Sequence, residues 1–467
     1  MPDLDVLSTA AALAAEYLAS VPSRRVTGVG TRRTLLTSLG GPLPEAGDEP
    51  ASVIRGLARE ADSGIVATAG PRYFGFVTGG AVPVTVAAEW LASAWDQNGA
   101  LYVMSPAVAV LEDIVAAWIL EMLRLPAGAS VGFVTGAHMA NFTCLAAARH
   151  EVLRRAGWDV EEQGLQRAPR VTVLVGDEVH VSVVGALRML GFGAGELVRV
   201  ASDNQGRMRL EAATAAIARV EGPFIVCTQV GNVSSGASDP VRAIIDLVRP
   251  RHGWTHVDGA FGLWASAVRE LRAQVAGVAE ADSWTTDAHK WLNVPYDSGL
   301  AVVAHPAPHR AAMSLHASYL VRGADEERVG MDWVPESSRR ARVIPLYALF
   351  RALGRTGIED MIRRTVALAQ RMAVTLARCD GIRILNAVDL NQVLVRFEAD
   401  GRDGDRLTRD VIGRVQAEGT CWAGGSVWKG QHVMRVSVSN WSTTEADIDQ
   451  SAGAIIRCYD AARAGHA

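Results

Sequence analysis

Short apolar segments alternate with amphipathic segments through the middle of the chain. Apolar runs predict seven strands, at residues 130–134, 170–175, 197–200, 223–228, 255–258, 283–286 and 299–304. Apolar positions at helical spacing predict helices before and between them, at residues 105–125, 140–153, 183–190, 211–220, 241–248 and 268–275. Uniformly apolar strands separated by amphipathic helices are typical of a sheet covered on both faces. We therefore predict an α/β fold with a large domain built on a mainly parallel, seven-stranded sheet.

The pattern changes beyond residue 310, where a smaller α+β domain is predicted. Helices are expected there at 340–353, 358–376 and 444–463, and strands at 393–397 and 433–438. Near the other end, an alanine-rich segment at 8–20 predicts a helix, and a Gly/Pro-rich segment at 40–50 predicts a linker. We divide the chain into an N-terminal helical segment (1–60), a large domain (61–310) and a small C-terminal domain (311–467).

Composition and charge exclude several classes of protein. With 49% hydrophobic and 21% charged residues, the 467-residue chain can bury a large core and is not disordered. The net charge is −4 and no basic block occurs, so nucleic-acid binding is not expected. The longest uncharged stretch, 125–148, is broken by proline and glycine, and the first five residues are acidic rather than basic. Neither a membrane span nor a signal peptide is therefore expected.

The five cysteines are widely spaced and include no CxxC pair, which indicates neither a disulfide framework nor a zinc site. A reducing, cytoplasmic location fits this pattern. The chain also lacks the GxGxxG, GxxxxGK[ST], GxSxG and HExxH motifs. No spacing of histidines or carboxylates indicates a metal site.

Lysine is scarce in this chain. Of the 46 lysine and arginine residues, only Lys290 and Lys429 are lysines. Arginine holds its proton too firmly for amine chemistry, whereas a lysine amine can attack a carbonyl group. Lys429 lies in a Trp-Lys-Gly segment that reads as a surface turn, while Lys290 stands between His289 and Trp291.

Ligands of open α/β sheets bind at the carboxyl ends of the strands. The turn at 135–138 follows the first predicted strand and begins a helix, whose free amides suit a phosphate. His180 follows another strand, where it could cap a helix or stack on a flat ring. Asp258 ends a strand, where it could cap a helix or pair with a protonated ring nitrogen above Ala260. Together with Lys290 as a Schiff-base amine, these groups are what pyridoxal 5′-phosphate (PLP) requires.

Seven segments carry a family resemblance: PRYFGF (71–76), SPAVAVLE (105–112), GFVTGAHMANFTCLAAAR (132–149), GDEVHVS (176–182), HVDGAFG (256–262), DAHKWLNVPYDSG (287–299) and NWSTTEADID (440–449). They resemble the group II PLP-dependent amino-acid decarboxylases, which include the aromatic-L-amino-acid and glutamate decarboxylases. The resemblance implies the fold-type I, aspartate aminotransferase-like architecture. It also implies a lyase that uses PLP to decarboxylate an L-amino acid.

The resemblance assigns roles residue by residue. Lys290 matches the lysine of the internal aldimine, Asp258 the partner of the pyridinium nitrogen, and His180 the histidine stacked over the ring near the substrate carboxylate. The resemblance also implies a homodimer, with the helix at 8–20 as a candidate exchanged element. Cofactor contacts are implied for Gly136, Ala137, His138, Thr228, Ala260 and His289, and substrate contacts for Phe76, Val77 and Thr78.

Two departures from the family pattern leave the reaction outcome open. His138 and Met139 stand where the phosphate turn usually carries a small hydroxyl residue and a glutamate. In a candidate lid at 320–335, the position where aromatic decarboxylases carry a loop tyrosine that protonates the product carbanion falls at about Gly330. Tyr319 is near it but lies in the segment before the loop. Tyr296 is a possible substitute, although core packing is its favoured role. Replacing the loop tyrosine is associated, within the resemblance, with decarboxylation coupled to oxidative deamination, which gives an aldehyde.

Transamination and a binding role without catalysis are further alternatives. Arg435 could clamp a carboxylate in a transaminase, although a structural ion pair is its favoured role. The joint presence of Lys290, Asp258 and His180 opposes a protein that only binds. The sequence does not identify the substrate. The segment 76–78 is uncharged, which disfavours an acidic side chain, but Arg72 and Arg322 could reverse that judgement.

Overall fold

The computed structural model describes residues 4–315 and 327–465. The strands are β1 (Ser130–Val134), β2 (Thr172–Gly176), β3 (Val198–Val200), β4 (Phe224–Gln229), β5 (Trp254–Asp258), β6 (Ser283–Asp287), β7 (Gly299–Val303), β8 (Ile382–Ile384), β9 (Gln392–Phe397), β10 (Gly424–Trp428) and β11 (Gln431–Ser437). The helices are α1 (Asp5–Ser20), α2 (Arg32–Leu39), α3 (Pro50–Ala61), α4 (Pro83–Trp95), α5 (Pro106–Leu123), α6 (Ala137–Arg155), α7 (Val160–Gln163), α8 (Val181–Met189), α9 (Leu210–Ala218), α10 (Val241–Val248), α11 (Pro306–Met313), α12 (Val343–Ala377), α13 (Gly404–Glu418) and α14 (Glu445–Ala464).

The first seven strands form one sheet in the order β1-β7-β6-β5-β4-β2-β3. Strand β7 is antiparallel to both of its neighbours, β1 and β6. The pairs from β6 through β5, β4 and β2 to β3 are all parallel. The predicted mainly parallel, seven-stranded sheet is confirmed.

Helices cover this sheet on both faces, because its central strands are apolar on both sides. On β2, Val173 and Val175 point into one buried cluster with residues of α6 and α8. Leu174, between them, points into a second cluster with residues of α9 and α10. The alternation of side chains along a strand thus divides one apolar run between two cores.

The smaller sheet has the order β10-β11-β9-β8. The pairs β10–β11 and β8–β9 are antiparallel, and α13 packs against both β11 and α14. The predicted small α+β domain is confirmed. Strand β10 escapes prediction because it opens with two glycines and exposes alternate residues, while α13 does show a missed helical stripe at Leu407, Val411 and Val415.

Three predicted helices take a different form. The segment near 268–275 forms 3-10 turns (Arg269–Val275) rather than an α-helix. The two helices expected between residues 340 and 376 run together as α12, which is interrupted at Gly354, where φ is 60°. None of the helices in the described residues has the length and apolarity that a membrane span requires.

The described chain forms two compact units that do not follow chain order. One unit contains the residues up to Thr78 together with Arg371–Ile384 and the chain from Val395 onward. The other contains Gly79–Gln370 and Leu385–Leu394, and so includes the whole seven-stranded sheet. The division of the chain at residues 60 and 310 stays a prediction.

Candidate active site

The carboxyl ends of β5 and β6 bring the predicted amine and carboxylate to one edge of the large sheet. The two strands are parallel neighbours in which Asp258 is in register with Thr285. Strand β6 ends at Asp287, and Lys290 follows three residues later. Because strand order determines this edge, residues about 30 positions apart in sequence come to share one site.

The amine of Lys290 is held by a carboxylate that the sequence did not single out. Lys290 Nζ lies 2.9 Å from Asp287 Oδ2. Burial would lower the pKa of Lys290, but Asp287, with a smaller contribution from Asp258, raises it above its ordinary value. The backbone of Gly79 lies directly against this residue, since a Cβ at Gly79 would stand 1.8 Å from the Lys290 carbonyl oxygen.

Asp258 is buried, with 4% of its surface exposed. Its Oδ1 accepts a hydrogen bond from the Ala260 backbone N–H (3.1 Å). Asp258 and Thr228 line one small cavity with Cys227 and Val179. The Thr228 hydroxyl is used within the sheet, where it donates to the His256 carbonyl (3.1 Å).

The predicted phosphate turn lies beside the Lys290 segment. Gly136 precedes α6, which starts at Ala137, so the unsatisfied amides of the first helical turn are available there. A Cβ on Gly136 would lie 3.0 Å from His289 Cε1 and 3.5 Å from Asp287 Oδ1. His138 is exposed, and its ring lies against Gly185 of α8.

His289 is buried beneath Tyr296, with 4.3 Å between the ring centroids. Its Nδ1 accepts a hydrogen bond from the Ser298 backbone N–H (3.2 Å). Burial lowers the pKa of His289, which favours the neutral ring. Tyr296 is largely exposed. The prediction that it packs in the core is therefore wrong.

His180 caps helix α8, which is one of the two roles that the sequence predicts for it. The Ser182 backbone N–H donates to His180 Nδ1 (3.3 Å), and the Ser182 hydroxyl lies 2.7 Å from the same nitrogen. Asn141 Nδ2 donates to Ser182 Oγ (3.3 Å), and Asn141 Oδ1 lies 2.8 Å from His256 Nε2. A hydrogen-bonded chain therefore runs from the buried His256 to His180.

The chain of hydrogen bonds specifies a tautomer at each end. Burial lowers the pKa of His256 to about 3, so this ring is neutral. Trp254 Nε1 donates to Ser283 Oγ (2.8 Å), whose hydroxyl can donate to His256 Nδ1 (2.9 Å). His256 Nε2–H then donates to Asn141, and His180 Nδ1 is left as an acceptor. The proton of a neutral His180 is consequently on Nε2.

The predicted substrate segment belongs to the other compact unit. Phe76 is 64% exposed, and both it and Val77 adopt left-handed backbone angles, with φ of 53° and 61°. Such angles are costly for these residue types and are often found at functional sites. The Phe76 ring lies 5.4 Å from Trp422, which also stacks on Tyr73 at 5.0 Å. Sequence reasoning missed Trp422, because no motif marks it.

The arginines considered from the sequence have different surroundings. Arg72 is buried and pairs with Asp447 (3.1 Å), while its guanidinium also donates to backbone carbonyls, so its role is structural. Arg322 lies outside the described residues. Burial lowers the pKa of Arg435, and no charged group among the described residues offsets that effect. The prediction that Arg435 forms a structural ion pair is thus wrong for the described part of the chain.

Gly330 is buried in a tightly packed backbone contact. A Cβ at this position would lie 2.2 Å from the Gly99 carbonyl oxygen and 2.4 Å from Arg339 Nη1. Residues 320–326 of the candidate lid lie outside the described residues, whereas Val329, Met331 and Val334 are buried. The described part of this segment is therefore part of the core.

The chain is similar to known proteins in both sequence and fold. A family model described as the pyridoxal-dependent decarboxylase conserved domain matches residues 35–399. The chain is 26% identical over 419 residues to an aromatic-L-amino-acid decarboxylase from Bacillus atrophaeus, covering 87% of this chain and 85% of that protein. It is 29% identical over 367 residues to the L-2,4-diaminobutyrate decarboxylase of Rhizobium meliloti (strain 1021), covering 76% and 71%. The solved structure of Oryza sativa TDC with PLP and tryptamine has a TM-score of 0.91 at 24% identity, covering 98% of each chain.

Proposed function

Since this chain belongs to the family of pyridoxal-dependent decarboxylases, and is therefore a PLP-dependent enzyme that decarboxylates an amino acid, we propose that Lys290 carries its cofactor. The family, enzyme class and cofactor predicted from the sequence are confirmed. The choice of Lys290 rests on one observation above all. Its amine is at the carboxyl edge of the sheet, 2.9 Å from the Asp287 carboxylate, beside the parallel strand that ends at the buried Asp258.

The residues at this edge fit PLP at both its aldehyde and its ring. Lys290 supplies the amine. Among the described residues, the buried carboxylate of Asp258 accepts one hydrogen bond, from the Ala260 N–H, and a buried charge requires a partner. A protonated pyridine nitrogen would be that partner. Gly136 and Ala137 would hold the phosphate through backbone amides at the start of α6.

Each proposed residue has a distinct task in the reaction. When bound, PLP supplies an electron sink for the charge left on Cα as the carboxylate departs as CO₂. Asp258 holds the proton on the ring nitrogen, and Lys290 holds a proton at Nζ. The family resemblance places His180 near the substrate carboxylate, and because Ser182 occupies its Nδ1, the proton of the neutral ring is on Nε2. Ala260, Thr228 and His289, to which the family resemblance assigns cofactor contacts, would line the cofactor site.

We propose an uncharged, aromatic side chain for the substrate. Phe76, Val77 and Thr78 carry no charge, and the exposed Phe76 ring lies against Trp422. Arg72, which could have favoured an acidic substrate, is engaged by Asp447. The named relatives act on both aromatic and diamino substrates, so the side chain must be decided by experiment.

The test measures CO₂, amine, ammonia and peroxide with a panel of L-amino acids. Tryptophan, tyrosine and phenylalanine are expected to release CO₂ and the matching amine in equal amounts. Glutamate and 2,4-diaminobutyrate are expected to react at least about tenfold more slowly, because the segment 76–78, to which the family resemblance assigns substrate contacts, supplies no opposite charge. Faster reaction with either charged amino acid would refute the substrate class, and no CO₂ from any amino acid would refute the assigned site.

A second candidate function is decarboxylation coupled to oxidative deamination. The family resemblance favours it, because the loop-tyrosine position falls at about Gly330, which has no side chain and whose packing leaves no room for one. The amino acid, O₂ and water would give an aldehyde, CO₂, ammonia and hydrogen peroxide in equal amounts. Ammonia and peroxide matching CO₂ would establish this outcome, whereas amine without either would exclude it. Transamination would release no CO₂.

We further propose that the protein is a homodimer joined through its N-terminal helical segment. Exposed apolar side chains recur along α1–α3 and their connections: Leu4, Leu7, Leu36, Leu39, Leu43, Val53 and Leu57. So much exposed apolar surface is unusual outside an interface. Sedimentation is expected to give twice the chain mass, and L36D/L57D to give monomers. V427D, which alters an exposed valine of β10, should leave the mass unchanged; a wild-type monomer would contradict the proposal.

We also propose a cytoplasmic location. All five cysteines are free thiols. Burial raises the pKa of Cys144 and Cys421 to about 12, which makes them unreactive core residues. Free buried thiols are typical of proteins that fold in a reducing compartment.

A further inference from the structure

Asp287 places a buried carboxylate where the proposed function seats a phosphate. Its side chain is 1% exposed. One oxygen, Oδ2, pairs with Lys290 and lies 3.6 Å from His289 Nε2, while Oδ1 is buried without a hydrogen-bond partner among the described residues. The backbone is held on both sides, because Asp287 N–H donates to the Ala260 carbonyl (2.8 Å) and Trp264 Nε1 donates to the Asp287 carbonyl (3.0 Å). The carboxylate is therefore built into the site.

The unpartnered oxygen faces the phosphate turn. Oδ1 lies 3.5 Å from the position that a Cβ on Gly136 would occupy, immediately before the first turn of α6. An anion drawn to the amides of this turn would approach Asp287 as a like charge. Repulsion between two neighbouring buried charges is strong, because water and salt screen it poorly.

The groups around Asp287 leave Lys290 as its main compensation. Lys290 and His289 contact its carboxylate, and the other titratable groups that act on these two residues are Asp258, Tyr296 and Asp297. Burial lowers the pKa of His289, so its ring adds no reliable positive charge. Lys290 is the cation that neutralises Asp287, and it is also the amine that the cofactor engages.

We infer, on the basis of the proposed function, that Asp287 opposes the phosphate of PLP and so determines how firmly this enzyme holds its cofactor. The carboxylate stabilises the cofactor-free protein through Lys290 and repels the phosphate once that amine is engaged. The enzyme therefore exchanges PLP readily and discriminates weakly between PLP and pyridoxal, the same aldehyde without the phosphate.

The test compares the dissociation constants of PLP and pyridoxal, measured by visible absorption and equilibrium dialysis with cofactor-free enzyme. Both aldehydes use the same Lys290 amine, so any change in that amine cancels in the ratio of the two constants. In D287N, the preference for PLP over pyridoxal is expected to rise at least about tenfold, because one like charge beside the phosphate is removed. D287S removes the same charge with a smaller side chain, and we expect it to raise the preference for PLP as well.

D282N is the matched control, since it removes one negative charge just before the opposite end of β6. Asp282 Oδ2 accepts a hydrogen bond from the Thr255 N–H (2.7 Å), which an asparagine oxygen can also accept. The preference for PLP should be unchanged in this variant. If neither Asp287 variant folds, the fallback experiment is competition between inorganic phosphate and pyridoxal for binding to the wild-type enzyme. We expect phosphate to reduce pyridoxal binding only weakly. A strong reduction would overturn the inference.

The outcomes separate this inference from the proposed function. An unchanged or reduced preference for PLP in folded D287N and D287S would overturn the role of Asp287 while leaving Lys290 as the cofactor lysine. Failure of both aldehydes to produce a visible absorption band in the wild type would instead overturn the assignment of Lys290. A preference that rises in D287N and D287S but not in D282N supports the inference.

Discussion

Replacing Lys290 by alanine is expected to lower the decarboxylation rate by about 10⁴-fold or more. Lys290 is the proposed covalent attachment point for PLP, and no nearby group can substitute for its amine. The second lysine, Lys429, lies on a different element, between β10 and β11, where its amine stands 5.5 Å from the Trp428 ring centroid. Steady-state CO₂ release measures the effect, and circular dichroism shows whether the variant is folded.

The scarcity of lysine supplies a matched control. Lys429→Arg keeps the charge and is expected to leave the rate within about twofold of the wild type, as is usual for surface changes. Borohydride reduction of the holoenzyme followed by peptide mapping should place the label on the peptide that contains Lys290. Label on Lys429, or activity above about one per cent in K290A, would contradict the assignment.

Replacing Glu112 by glutamine is expected to destabilise the fold by about 3–5 kcal/mol, since it leaves two buried guanidinium groups without their shared anion. Glu112 lies on α5 and is almost completely buried. It pairs with Arg339 at 2.6 Å and with Arg328 at 2.8 Å. Arg339 also donates to the Gly99 carbonyl (2.8 Å), which lies against Gly330. This ion triad therefore anchors the segment that contains Gly330.

Urea unfolding measures the decrease in the free energy of unfolding of E112Q. Glu121→Gln, on the same helix, is the matched control. Glu121 is 71% exposed and pairs with Arg355 at the surface, so its replacement should cost about 0.5 kcal/mol or less. A loss below about 1 kcal/mol in E112Q would contradict the importance of the triad.

The pH dependence of the same variant provides an internal check. Burial would raise the pKa of Glu112, but Arg339 and Arg328 hold it below its ordinary value. A carboxyl whose pKa is lower in the folded state stabilises the fold above its unfolded pKa of about 4.3 and loses that contribution as pH falls through the folded value. The stability difference between wild type and E112Q should therefore shrink below about pH 4.

Much of the fold could be predicted because the determining signals are local. Strand β1 and helix α10 begin and end at the residues that the apolar pattern indicated. The central strands of the sheet are buried on both faces, so their sequences are uniformly apolar and easy to recognise. The polar and glycine-rich β10 offers no such pattern. Lys290 stood out for a chemical reason, since only two side chains could supply an amine.

The sequence by itself determined the alternation of strands and helices, the family resemblance and the residues with suitable chemistry at strand ends. Only the tertiary structure revealed that Asp287 pairs with Lys290 beside Gly136, that Asn141 connects His256 to Ser182 and His180, and that Gly330 has no room for a side chain. These features depend on contacts between segments far apart in the chain. Strand order and helix packing determine such contacts, whereas hydrophobic periodicity reports only which face of each element is buried.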